Sequence, residues 1–272
     1  MNRTPRNPLF WLMMVALTLV FIGPLLMVIL TSFKTRSESQ QVPPTFIPET
    51  WTLGAYRTLL SDAGSPVMQW FATSLIAASL HALLVVTVAS MAGYALARMH
   101  FRGRTAIFGL ILSTMFVPGF IFLMPNFEMM SKLQWLDTLQ ALVVPGAAGA
   151  FGVFFMRQFF TALPVELEES ARIDGAGPMT TFFRIVLPNA KAAVMTLVVL
   201  SFLANWNDFV WPLYVMYDKL TLPIGLSRLQ GAYTIDYPVV MAGASIAAVP
   251  VLVIYVFLQR YIIQGVASSG LK

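Results

Sequence analysis

The stretch with the most chemical content is polar and lies between two apolar runs. It reads Leu163-Pro164-Val165-Glu166-Leu167-Glu168-Glu169-Ser170-Ala171-Arg172-Ile173-Asp174-Gly175-Ala176-Gly177-Pro178. These residue types make a stiff surface for docking rather than a catalytic centre. Pro164 suits a first helical turn, and Glu166, Glu168 and Glu169 favour the positive end of a helix dipole. Glu168 and Arg172 are spaced as an i,i+4 pair. Gly175 and Gly177 stop the helix. Pro178 can start a second one, Met179 to Val186, which ends before Pro188. An isolated helix of this length is marginal in water, so it needs something to dock against. A lipid surface is one answer, but lipid-surface helices usually carry basic polar faces. Three glutamates near the start favour a protein partner.

A second polar group, Asn205, Trp206, Asn207 and Asp208, interrupts an apolar run. Ionisable residues inside membrane spans are costly and often functional. Two readings stand side by side. The group can hydrogen-bond neighbouring helices as glue, or it can form a gate or sugar contact, with an indole face and amides suited to a polyol. Asn126, after Pro125, is a weaker candidate of the same kind. The two histidines, His81 and His100, lie apart and read as packing or interfacial residues. The chain has no GxxxxGK[ST] phosphate loop, no HExxH and no GxSxG motif, so neither P-loop ATP binding nor a known hydrolytic centre is expected. Without cysteine, thiolate catalysis and disulfides are excluded.

The elements that hold these groups are apolar helices. Hydrophobic residues make up 58% of the 272-residue chain and charged residues 11%, against about 25% in a soluble domain. So little charge cannot cover a water-facing surface, and a bilayer must face most of it. Charge-free runs separate Arg6 from Lys34, Asp62 from Arg98, Arg104 from Glu128, Asp137 from Arg157, and Asp236 from Arg260. Each can supply the roughly 17–25 apolar residues of a span. A sixth run follows Lys191 and contains Asp208. The expected fold class is therefore all-α, a single membrane domain over residues 1–272. Its six transmembrane helices are expected at about 9–31, 70–97, 105–126, 138–160, 190–217 and 238–261. The first run is longer than a signal-peptide core and reads as a retained helix. Thr52 is expected to cap a short outer helix through Leu60. Ala89, Gly93 and Ala97 form a small-xxx-small stripe suited to close helix contact, and a second small-residue stretch runs from Ala242 to Ala248.

The net charge of +5 is arranged as a topology signal and not as a nucleic-acid footprint. With six spans both termini share a side. That side would hold Arg3, Arg6, Arg98, Arg102, Arg104, Arg157, Arg172, Arg184, Lys191, Arg260 and Lys272. The other would hold Lys34, Arg36, Arg57, Lys132, Lys219 and Arg228. The positive-inside rule places both termini in the cytoplasm.

The loop also carries a resemblance. Glu169-Ser170-Ala171-Arg172-Ile173-Asp174-Gly175, nine residues, then Ile185-Val186-Leu187-Pro188 resembles the "EAA" loop of binding-protein-dependent ABC importer permeases, with Ser170 where alanine is usual. Ala92–Arg98 with Phe101-Arg102-Gly103-Arg104, Phe159-Phe160 through Leu167, and Trp206–Leu213 resemble the carbohydrate-type subgroup. The ending Ser269-Gly270-Leu271-Lys272 departs from that subgroup's Gly-Ala-Val-Lys in two places. The resemblance implies the type I importer permease fold and a bacterial or archaeal cytoplasmic-membrane subunit that is not itself an enzyme. It implies a second permease, two ATPase subunits that bind ATP and Mg, and an extracytoplasmic solute-binding protein. It also implies that Glu168, Glu169, Ser170, Ala171, Arg172, Asp174, Gly175, Ile185, Leu187 and Pro188 form the ATPase-coupling loop. The expected cargo is a sugar or sugar derivative. Glycerol phosphate, a peptide, or ATP-independent carriage are the alternatives.

Overall fold

Long apolar runs leave the backbone no water to bond, so helices that satisfy their own N–H and C=O groups are the expected solution. All regular structure among the described residues is helical. The computed structural model describes residues 8–61, 65–229 and 236–270, with side chains to 260. The anchors Arg3, Arg6 and Lys272 lie outside these residues, and the tail from Ser269 has no described side chains.

In chain order the helices are α1 (Pro8–Ser32), α2 (Arg36–Ser39), α3 (Gly54–Ser61), α4 (Val67–Arg98), α5 (Arg104–Thr114), α6 (Leu123–Lys132), α7 (Leu139–Val143) and α8 (Ala150–Ala162). They continue as α9 (Glu166–Ile173), α10 (Pro178–Thr181), α11 (Leu187–Asn189), α12 (Lys191–Trp206), α13 (Val210–Val215), α14 (Leu222–Arg228) and α15 (Tyr237–Gly270). A 3₁₀ turn, Gly119–Phe122, precedes α6, and a π-helical turn, Phe182–Val186, joins α10 to α11.

Three of these are long and apolar enough to cross a membrane: α1, α4 and Tyr237–Arg260 of α15. Two bent pairs reach that length together. Arg104–Thr114 meets Gly119–Lys132 at 93°, and Pro178–Asn189 meets Lys191–Trp206 at 79°.

Three helices expected to be continuous are interrupted. The one expected over 105–126 breaks after Thr114, because Pro118 has no N–H for the Thr114 carbonyl and disfavours helical backbone at Val117. The one expected over 138–160 divides into α7 and α8. There Pro145 removes a donor and Gly146 adopts φ +78°. The one expected over 190–217 stops at Trp206, and Asp208 Oδ1 then accepts the Trp211 N–H (3.3 Å) in the first turn of α13.

The chain divides into two compact units, residues 1–68 with 225–249 and residues 69–224 with 250–272. In the first, the loop after α1 is held by polar contacts. Glu38 is buried and its Oε1 accepts from Thr45 Oγ1 and the Glu49 N–H, both at 2.9 Å, while Lys34 reaches the Thr45 carbonyl. Thr52 Oγ1 accepts the Gly54 N–H (3.0 Å) where α3 begins. Ala242 is fully buried, and a methyl group at Gly243 would come within 2.3 Å of Leu226. The small-residue stretch therefore serves close packing against α14.

The second unit carries both candidate sites. Its main core joins Ala89 and Tyr94 of α4 and Met156 and Phe160 of α8. Phe182 of the π turn and Ala193 and Leu197 of α12 complete it. The small-residue stripe of α4 lies against α8. A methyl group at Gly93 would sit 2.9 Å from the Arg157 nitrogen and from Met156 Cβ, and one at Gly152 would sit 3.1 Å from Ala89 Cβ.

Candidate functional site

The loop helix is built to be rigid. In α9 the N–H groups of Glu168 and Glu169 both bond the Val165 carbonyl (2.9 and 3.1 Å), and Ser170 Oγ donates to the Glu166 carbonyl (2.8 Å). Its end is a Schellman stop. The Ala176 N–H bonds the Ala171 carbonyl (2.9 Å) and the Gly175 N–H bonds that of Arg172 (3.0 Å), with Gly175 at φ +79°. A β-carbon is strained at that φ, so glycine is the residue that stops the helix there cheaply. Gly177 then leads into Pro178 in the first turn of α10.

The inward face of α9 departs from the sequence expectation. Glu168 does not pair with Arg172. It is buried and forms an ion pair with Arg98 at the end of α4, with Nε 3.0 Å from Oε1. That contact lacks hydrogen-bond alignment and is carried by charge. Tyr94 OH donates to Glu168 Oε2 (3.2 Å). Arg98 Nη2 donates to the Phe160 carbonyl (2.7 Å) and to that of Leu163. Tyr94, Phe160 and Phe182 pack as an aromatic triangle beneath the pair, with centroids 5.0–6.3 Å apart. Ala171 is the other inward residue of α9.

The rest of the predicted coupling set faces out or lies at the margin. Glu169, Ser170, Arg172, Asp174, Gly175 and Pro188 are exposed, and Ile185 and Leu187 are half-buried. Exposed apolar side chains accompany them: Ile173 (86% exposed), Met179 and Phe183. Sequence reasoning did not single these three out. The available signal was their position, as apolar side chains in short helical segments of an otherwise polar loop.

The second site is a cleft of about 340 Å³ where the three helix interruptions meet. It is lined by Gly119, Phe120, Leu123, Asn126, Pro145, Gly146, Asp208, Val210 and Trp211. Asn126 and Asp208 are thus brought together. The other pore candidates are not in its lining. Trp206 is buried against Phe202 and Phe71, with centroids 5.8 and 5.6 Å away. Asn205 donates to the Leu142 carbonyl (3.0 Å), and exposed Asn207 bonds back to Leu203 (2.9 Å). Trp211, which lines the cleft, was missed as a candidate. Its indole N–H donates to the Ala141 carbonyl (2.7 Å).

The family described as binding-protein-dependent transport system inner membrane component matches residues 86–268, from the lower half of α4 through the capped loop and into α15. The chain belongs to this family. It is therefore a multi-pass inner-membrane component, and ATP hydrolysis in such systems lies in separate subunits. This permease is similar to the arabinooligosaccharides transport system permease protein of Halalkalibacterium halodurans, at 36% identity over 100% of both chains. It is also similar to that of Bacillus subtilis, at 36% identity over 97% of this chain and 94% of the relative. Its fold matches a chain in the crystal structure of a bacterial ABC transporter involved in alginate import. The TM-score is 0.78 at 23% identity, covering 96% of this chain and 99% of the other. The permease thus has the importer permease fold, all-helical among the described residues.

Proposed function

We propose that the permease is one of two paired pore subunits of an ATP-driven importer that moves a sugar or sugar derivative into the cytoplasm. Two ATPase subunits, which bind ATP and Mg, would dock on residues 163–188, and an extracytoplasmic solute-binding protein would deliver the cargo. The chain would cross the bilayer six times with both termini cytoplasmic. The spans would be α1, α4, α5 with α6, α7 with α8, α12 with α13, and α15, together forming one membrane domain.

The observation that carries this reading is α9. It is short, stopped by a Schellman motif, and continued across Gly177 by a second helical start. Its outer surface and the following turn expose Ile173, Met179 and Phe183 beside charged residues. A rigid projection with apolar contacts can carry a rigid-body motion from one subunit to another, whereas a flexible loop absorbs it. Ile185, Leu187 and Pro188 would hold the far end of the docking surface, with Asp174 and Gly175 at the turn. The sugar assignment is supported by the arabinooligosaccharide relatives and by the cleft. There the Trp211 ring, the Asn126 amide and the Asp208 carboxylate offer the stacking face and hydrogen-bonding groups that a polyol uses.

The test is co-purification of the tagged chain from its native host in mild detergent, followed by uptake in vesicles. A second permease and an ATPase subunit should come with it, and uptake of arabino-oligosaccharide should require ATP and the binding protein. A chain isolated alone that moves solute without ATP would instead be an autonomous carrier.

A further inference from the structure

We propose that Arg98 is the strut through which movement of α9 reaches the membrane helices. This rests on α9 being the ATPase-coupling helix. Arg98 otherwise has a simple explanation as a positive-inside anchor. Such anchors extend their charge into water or headgroups, as exposed Arg102 does a few residues on. Arg98 does the reverse. Its side chain is 11% exposed and turned inward, and the carboxylate that it meets is 5% exposed.

Its contacts join three elements. The guanidinium extends from the last residue of α4. It takes the Phe160 carbonyl in the final turn of α8 and the Leu163 carbonyl just beyond it. It faces Glu168 of α9 at 3.0 Å. The only covalent path from α8 to α9 is the short extended link around Leu163 and Pro164, which would let α9 pivot. The strut removes that freedom, because a planar guanidinium offers several donors in a fixed fork. The Tyr94 hydroxyl, on the second carboxylate oxygen, fixes Glu168 from the α4 side as well. Arg98 is thus a positioning residue. It acts through Glu168.

The experiment uses the full co-purified transporter in proteoliposomes, with arabino-oligosaccharide as the probe, and reads sugar imported per ATP hydrolysed. Arg98→Ala should lower that ratio about tenfold, within the range of coupling between distant sites. The isosteric Glu168→Gln should lower it similarly, and the double variant should be no worse than either single one, as expected for one shared interaction. Arg98→Lys, which keeps the charge and loses the fork, should fall between Ala and wild type. Should Arg98→Ala fail to assemble with the ATPase, Glu168→Gln and Arg98→Lys carry the measurement. An unchanged ratio in assembled Glu168→Gln and Arg98→Lys complexes, or additive losses in the double variant, overturns the proposal. A wild-type chain that brings no ATPase and shows no ATP-dependent uptake overturns instead the coupling reading on which it stands.

Discussion

Asn205 donates its side-chain amide to the carbonyl oxygen of Leu142 at 3.0 Å, joining the last turn of α12 to the end of α7. Two neighbouring carbonyls are met in the same way, Ala141 by the Trp211 indole N–H (2.7 Å) and Val143 by His81 Nδ1 (2.8 Å). A carbonyl only accepts, so His81 holds its proton on Nδ1. The break at Pro145 takes away helical donors that these carbonyls would otherwise have. Three side chains from α4, α12 and α13 replace them. The polar residues of this region therefore hold an interrupted helix together beside the cleft.

Asn205→Leu keeps the size of the side chain and leaves the buried Leu142 carbonyl without that donor. We expect a loss of about 1–3 kcal/mol, read as a lower unfolding midpoint in detergent. An unchanged midpoint would mean that another donor replaces the amide.

The approach of α4 to α8 at Gly93 leaves no room for a side chain. A methyl group would lie 2.9 Å from the Arg157 nitrogen, which is backbone and cannot swing aside. Gly93→Ala should destabilise by about 1–3 kcal/mol, and Gly93→Val by more. Gly109, around which a methyl group meets nothing within 4 Å, is the control: Gly109→Ala should leave the midpoint nearly unchanged. Equal midpoints for the alanine variants at 93 and 109 would contradict the close approach.

Gly175→Pro should uncouple ATP hydrolysis from uptake while the subunit still inserts. Proline fixes φ near −65°, against the observed +79°, and removes the N–H that bonds the Arg172 carbonyl. Glu169→Lys, on the exposed face, should do the same by reversing a charge at the proposed docking surface. Normal uptake per ATP in both variants would rule out a coupling role for this loop.

Asp137 supplies a pH dependence outside the membrane spans. Partial burial opposes its ionised form, but its Oδ1 accepts the N–H groups of Tyr217, Lys219 and Asp218 at 3.0–3.1 Å, and the net effect holds its carboxyl below the ordinary 3.8. A carboxylate with a lowered folded-state pKa adds stability that is full above its unfolded value and lost as pH falls through the folded one. The midpoint of the wild type should therefore drop more steeply below pH 3.8 than that of Asp137→Asn. Parallel curves through this range would show that the carboxylate contributes nothing.

Much of this permease is legible in its residues because apolar length and capping are local properties. The uncharged runs delimit α1 and α4 closely and mark where α15 begins, although α15 runs on past Arg260 to Gly270. The glutamates, Gly175 and Pro178 mark where the proposed coupling segment starts, stops and starts again, since dipoles and φ preferences act within a turn or two. The stripe of Ala89 and Gly93 announces a close helix contact before its partner is known.

Other features depended on groups far apart in the chain. Glu168 has Arg172 at helical spacing, yet it pairs with Arg98, because the fold brings the end of α4 under α9 and the buried guanidinium has carbonyls of α8 to satisfy as well. Asn205, Trp206 and Asp208 read as one polar cluster, but the stop of α12 at Trp206 splits it: Asn205 bonds a broken helix, Trp206 enters packing, and Asp208, beyond the helix end, lines the cleft. The chain by itself determined that apolar helices and a rigid capped loop must form. Only the tertiary structure decided which polar group meets which, because a buried charge or an orphaned carbonyl is satisfied by the nearest partner in space, whatever its distance along the sequence.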